Sequence, residues 1–149
     1  MKLKYFEEIH RFNDILSETD SLYHEIALRL GLTDSAMSIL YCVAQLGNGC
    51  PLSQVYKRNG GSRQTVGSAL RKMEQEEILY LKAANGKSKN IWLTEKGQRL
   101  LEEKIMPVLQ MENQIFLSWT EQEVEEYLRL AQKYLNDLKN SIKKTFPGD

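Results

Sequence analysis

Apolar side chains recur at three- and four-residue steps along much of the chain. Tyr5, Phe6, Ile9, Phe12, Leu16, Tyr23, Ile26 and Leu30 form such a series and predict an amphipathic helix, with an expected break at residues 17–21 where polar residues interrupt it. Residues 51–79 read as two short helices joined by a turn at Gly60 and Gly61, the pattern of a helix-turn-helix. Ser62 is suited to cap the second helix, because its hydroxyl can accept a bond from an orphan N–H of the first turn. From there Val66, Leu70 and Met73 share one face and Gln64, Ser68, Arg71 and Gln75 the other. Residues 78–81 are apolar, 82–89 polar and basic, and 90–93 β-prone, with Asn85-Gly86 between them. Both residues tolerate positive φ, which makes this a hairpin signal and places a wing directly after the second helix.

The flanking segments repeat the helical period. Thr94 is expected to cap a long helix from residue 95 to about residue 118, bent or interrupted near Pro107, whose ring removes one backbone donor. Thr120-Glu121-Gln122-Glu123 reads as a capping box, followed by Val124, Tyr127, Leu128, Ala131, Leu135, Leu138 and Ile142. Three amphipathic helices exceed what a compact winged helix can bury. They predict mutual packing of two chains about a two-fold axis, with an intramolecular bundle as the alternative.

Charge changes this picture by its distribution. Formal charge is zero over the 149 residues, yet residues 1–56 carry four basic and seven acidic side chains, 57–104 eleven and six, and 105–149 five and seven. The positive excess therefore sits on the helix-turn-helix and wing, at Lys57, Arg58, Arg63, Arg71, Lys72, Lys82, Lys87 and Lys89. A polyanion responds to that local field, not to the total. The outward set of the second helix combines short polar groups with an arginine on a rod narrow enough for the major groove, and this chemistry reads base edges and phosphates. Polar residues on the outside of a bundle helix, and lysines that keep a hairpin tip soluble, are the plainer readings of the same positions.

Other chemistry is weakly represented. No run approaches the roughly 18 apolar residues of a membrane span, and the acidic residues of the first segment do not suit a signal peptide, so a cytoplasmic location is expected. Cys42 and Cys50 read as reduced packing residues, not as metal ligands or a staple. His10 and His24 stand far apart, the glycine pairs suit helix ends, and no phosphate-cradling loop or nucleophile triad is legible, so no catalytic, cofactor or metal site is expected. Trp92, Trp119 and the tyrosines could either pack in a core or line a small-molecule pocket.

Three segments carry a family resemblance: LTDSAMSILYCVAQLG, with Leu32-Thr33 opening a helix; Ser62-Arg63-Gln64-Thr65-Val66 opening the second helix of the motif; and NIWLTEKGQRLLEEKI, with Leu93-Thr94-Glu95-Lys96-Gly97 after the wing. With these the chain resembles the MarR family of bacterial winged-helix regulators over nearly its whole length. The resemblance implies a mainly α fold with a small β-hairpin wing, a winged helix-turn-helix flanked by N- and C-terminal dimerisation helices. The winged-helix lobe would span residues 33–97, and the dimerisation region residues 1–32 and 98–146.

It also implies a homodimeric regulator, expected to be a repressor, that binds a palindromic duplex operator and answers to a small aromatic effector. Ser62, Arg63, Gln64, Thr65, Ser68, Arg71 and Lys72 would face the major groove, and Asn85, Lys87 and Lys89 would meet phosphate or the minor groove. Many members carry an Asp-x-Arg pair in the wing where this chain has Asn85-Gly86-Lys87. A lysine there keeps phosphate contact but lacks the planar fork of arginine. The rival from another class is a winged-helix module that binds protein instead of nucleic acid.

Overall fold

In the computed structural model, residues 2–59 and 62–148 are described. The elements run α1 (Phe6–Leu30), α2 (Asp34–Leu46), β1 (Cys50–Pro51), α3 (Leu52–Arg58), α4 (Arg63–Gln75), β2 (Leu79–Ala83), β3 (Lys89–Leu93), α5 (Glu95–Leu100), a π-helical stretch (Leu101–Ile105), α6 (Met106–Leu117) and α7 (Glu121–Thr145). They fall into two compact units, Met1–Pro107 and Val108–Asp149.

The first unit is built on α2. Thr33 caps it by accepting a bond from the Ala36 N–H at 3.1 Å, and Met37, Ile39, Leu40, Cys42 and Val43 are buried along it. Val55 of α3, Val66, Leu70 and Met73 of α4, and Leu79 and Ile91 of the sheet are buried as well. Removing such apolar surface from water is the main force holding the unit together. The helix-turn-helix predicted over residues 51–79 is present as α3 and α4. The Gly60-Gly61 turn expected between them lies outside the described residues.

The sheet has the order β1-β3-β2, all antiparallel, with Tyr80 opposite Trp92 and Lys82 opposite Asn90. The hairpin β2–β3 is the predicted wing, and a third strand joins it. Cys50 pairs with Ile91, and the Gly49 N–H donates to the Ile91 carbonyl at 2.9 Å. Proline is tolerated at position 51 because β1 is an edge strand.

One expectation changes, and another takes a specific form. Helix α1 runs unbroken through residues 17–21, where no proline or glycine stops it, and the Thr19 hydroxyl donates back to the Ile15 carbonyl at 2.7 Å. The interruption expected near Pro107 is a π-helical stretch just before it, in which the Met106 N–H donates to the Leu101 carbonyl. Pro107 has no N–H to offer the preceding turn, so the register loosens upstream of the ring.

In the second unit, α7 starts with the predicted capping box. The Glu123 N–H donates to the Thr120 hydroxyl at 3.1 Å, and the Thr120 N–H donates to the Glu123 carboxylate at 3.0 Å. These bonds hold the Glu123 carboxyl below its ordinary value. The rings of Phe116, Trp119 and Tyr127 form a cluster beside this start, with centroids 5.2 to 6.4 Å apart. No residue of α7 is buried.

Candidate nucleic-acid interface

Helix α4 begins as the sequence predicts, with the Ser62 hydroxyl accepting a bond from the Gln64 N–H at 3.1 Å. Its inner face holds Val66, Leu70 and Met73, each no more than 3% exposed. Its far end is clamped by the Leu93-Thr94-Glu95-Lys96-Gly97 segment. Glu77 adopts a left-handed φ of 58° and turns the chain out of the helix, and the Ile78 N–H donates back to the Met73 carbonyl at 2.9 Å. The Thr94 hydroxyl donates to the Glu77 carbonyl at 2.5 Å and accepts from the Gly97 N–H at 3.0 Å. The Lys96 ammonium donates to the Glu76 carbonyl at 2.7 Å, a cation at the negative end of the helix dipole. A Cβ on Gly97 would stand 1.9 Å from the Ile78 carbonyl oxygen, so only glycine permits this approach. The motif thereby fixes α4 against the strand that follows it.

The exposed surface of α4 divides into flanks. Arg63, Gly67, Arg71 and Glu74 lie three or four residues apart and line a groove of about 820 Å³ shared with the wing residues Asn85, Lys87 and Lys89. Gln64 and Ser68 are exposed on the next flank, where the Arg71 guanidinium donates to the Ser68 hydroxyl at 3.3 Å. Thr65 and Lys72, seven residues apart, form a third flank, and Lys72 pairs with Glu76 at 3.9 Å. The ten expected site residues are thus all exposed, but only Arg63, Arg71, Asn85, Lys87 and Lys89 share one concavity.

At the wing tip the Ala84 N–H donates to the Ser88 carbonyl at 2.9 Å and the Ser88 N–H to the Asn85 carbonyl at 3.2 Å. The positive φ expected of the Asn-Gly pair falls on Gly86 alone, at 63°, because Asn85 is the first residue of the turn 85–88 and only Gly86 of the pair is central to it. Lys82 points its charge elsewhere: its ammonium lies 4.9 Å from the Trp92 ring centroid and 5.6 Å from that of Tyr80. Arg58 likewise donates to the side chain of Gln45 on α2. These two cations of the basic segment are held by neighbours within the lobe.

Trp92 and Trp119 lie in different units, the first beside Gly49 and Lys82, the second in the Phe116–Tyr127 cluster. Cys42 and Cys50 are free thiols with sulfurs 3.5 Å apart, both buried. Burial first, and the neighbouring Cys42 second, push the Cys50 thiol up to about 12, so it stays protonated at neutral pH and packs as an apolar group. Among the described residues no cluster of histidine, cysteine or carboxylate side chains could hold a metal ion. No single helix among them is long and apolar enough to cross a membrane.

No protein-family model matches the sequence, and no curated protein matches it. Solved structures do match. The MepR–DNA complex of S. aureus aligns over 93% of this chain and 99% of its own, with 22% identity and a TM-score of 0.63. A MarR family transcriptional regulator from Silicibacter pomeroyi aligns over 95% and 92%, at 15% identity and a TM-score of 0.60. Bordetella bronchiseptica BpsR, whose DNA binding is regulated by 6-hydroxynicotinic acid, aligns over 83% and 98%, at 18% identity and a TM-score of 0.61. Across nearly its whole length, the chain therefore has the winged helix-turn-helix fold of MarR family transcriptional regulators.

Proposed function

We propose that the protein is a sequence-specific, double-stranded DNA-binding transcription regulator that acts as a homodimer and represses by occupying a palindromic site. The observation that carries this reading is the exposed polar face of α4 beside a groove in which Arg63, Arg71, Lys87 and Lys89 converge. Gln64, Ser68 and Arg71 carry the groups that hydrogen-bond base edges, whereas Lys87 and Lys89 at the wing are point charges suited to phosphate. The same face argues against the protein-binding rival, which calls for an apolar or acidic surface on α4.

Dimerisation is supported by the uncovered apolar residues of the long helices. Phe6, Ile9 and Leu16 on α1, and Leu128, Leu135, Leu138 and Ile142 on α7, are all exposed. An apolar stripe left uncovered along a helix marks an interface. A two-fold dimer would set two α4 helices about 34 Å apart, one turn of DNA, and so read two half-sites. The regulation of BpsR by an aromatic acid extends the proposal to a small aromatic effector that lowers DNA affinity.

Selection of random duplexes on the purified protein tests the reading. The expected result is an enriched palindrome, bound with an affinity that falls steeply as salt rises. Recovery of no common sequence would overturn it.

A further inference from the structure

One contact in the groove involves a residue outside those expected to meet DNA. The Arg63 guanidinium lies over the ring of Tyr56, its Cζ 4.9 Å from the ring centroid. Tyr56 belongs to α3, is half-buried, and lines the same concavity as Arg63, Arg71, Lys87 and Lys89. We propose that Tyr56 is a DNA-positioning residue that holds Arg63 ready for a phosphate, a role that rests on the DNA-binding reading above.

The chemistry of stacking supports it. A guanidinium that lies flat on a ring meets it with its face, which leaves the in-plane N–H donors for a phosphate oxygen. Arg63 occupies the first position of α4 and Arg71 follows eight residues later, a rise of about 12 Å along the helix. That rise is close to the width of the major groove, about 12 Å, so Arg63 can reach a phosphate at one edge while Gln64, Ser68 and Arg71 face the bases. Both are braced in advance. Arg71 is held from its own helix by the Ser68 hydroxyl, and Arg63 from the neighbouring helix by an aromatic ring. An arginine ordered before DNA arrives loses less rotamer freedom on binding, and that gain in affinity depends on the ring, not on the phenol hydroxyl.

The test uses the full chain and a labelled duplex carrying the enriched site, with Tyr56→Phe, Tyr56→Ala, Arg63→Ala and the Tyr56→Ala/Arg63→Ala pair measured over a range of salt. Tyr56→Phe is expected to bind within about two-fold of wild type. Arg63→Ala should weaken binding and flatten the salt slope by about 0.9, the loss of one phosphate contact. Tyr56→Ala should weaken binding about three- to ten-fold with the slope unchanged, and the double variant should lose no more than Arg63→Ala alone, since coupled residues are not additive. In the free protein, the Arg63 δ protons should show an upfield ring-current shift by NMR in wild type and Tyr56→Phe, and lose it in Tyr56→Ala. Losses that multiply in the double variant, or no ring-current shift, would overturn the proposal. A wild-type protein that binds no duplex removes the functional reading and this role together. A wild-type protein that binds, with Tyr56→Ala equally tight, removes this role alone.

Discussion

Helices α4 and α7 are both amphipathic, but they meet opposite surroundings. The apolar residues of α4 are covered: Val66, Leu70 and Met73 are buried within the first unit, beside α2 residues such as Ile39 and Leu40 that are fully enclosed. The corresponding stripe of α7 is open, with Leu135 at 44% and Leu128 at 53% exposure and no residue buried. The difference separates two jobs. A helix that must present a fixed polar face needs its other face anchored by its own chain, and α4 has that anchor. A helix whose apolar face is left open has that face available to a partner, and the proposed homodimer would cover the open stripes of α1 and α7 with a second copy of the chain.

The largest effect should come from charging the open stripe. Leu135→Glu is expected to convert a dimer to a monomer in light scattering at micromolar concentration, and to weaken binding of a two-half-site duplex by about 10²–10⁴-fold as avidity is lost. A variant that stays dimeric would remove α7 from the interface. Because Leu135 is exposed within its own chain, thermal unfolding measured at a concentration where wild type is monomeric should barely change.

Breaking the anchored helix should act on stability instead. Gly97→Ala forces a Cβ against the Ile78 carbonyl oxygen, and overpacking of this kind costs about 1–3 kcal/mol or more. The unfolding midpoint should fall and DNA binding should weaken with it, since the clamp on the end of α4 is lost. An unchanged midpoint would show that the clamp can relax without disturbing the helix.

A smaller and more selective effect is expected from the exposed face of α4. Arg71→Ala should weaken binding to the enriched site by about 1–3 kcal/mol and relax preference at one base position, if the fork is bidentate to guanine. Equal losses on enriched and scrambled duplexes would make Arg71 a phosphate contact.

The smallest effect concerns pH and the start of α7. The Glu123 carboxyl is held below its ordinary value of 4.5 by its bonds with Thr120, so the capping box stabilises the helix above that pH and is lost as pH falls through the lowered value. Far-UV dichroism of wild type should lose helix signal in that range more steeply than Glu123→Ala. Superimposable acid curves would show that the box does not control the helix.

Local signals made much of this architecture legible in the sequence. The Ser62 cap, the buried series Val66, Leu70 and Met73, the wing and the Thr120 capping box each rest on a few adjacent residues, and each is present. What escaped depends on contacts through space. Strand β1 is two residues long and includes a proline, and exists only because β3 lies beside it. The sulfurs of Cys42 and Cys50 meet because α2 and β1 converge, which their separation along the chain does not reveal. Polar residues 17–21 suggested a break, but a helix continues through such a stretch when no proline or glycine ends it. In the candidate site, sequence identified the exposed cations but not their restraints. Lys82 is held by two rings, Arg58 by Gln45 and Arg63 by Tyr56.

The most direct measurement is the affinity of the purified protein for its enriched duplex against a scrambled duplex of the same composition, with the mass of the complex taken from light scattering. Two protomers per duplex are expected, with binding at least about 10³-fold tighter to the enriched site at physiological salt. Equal affinity for the two duplexes, with no fixed stoichiometry, would contradict it.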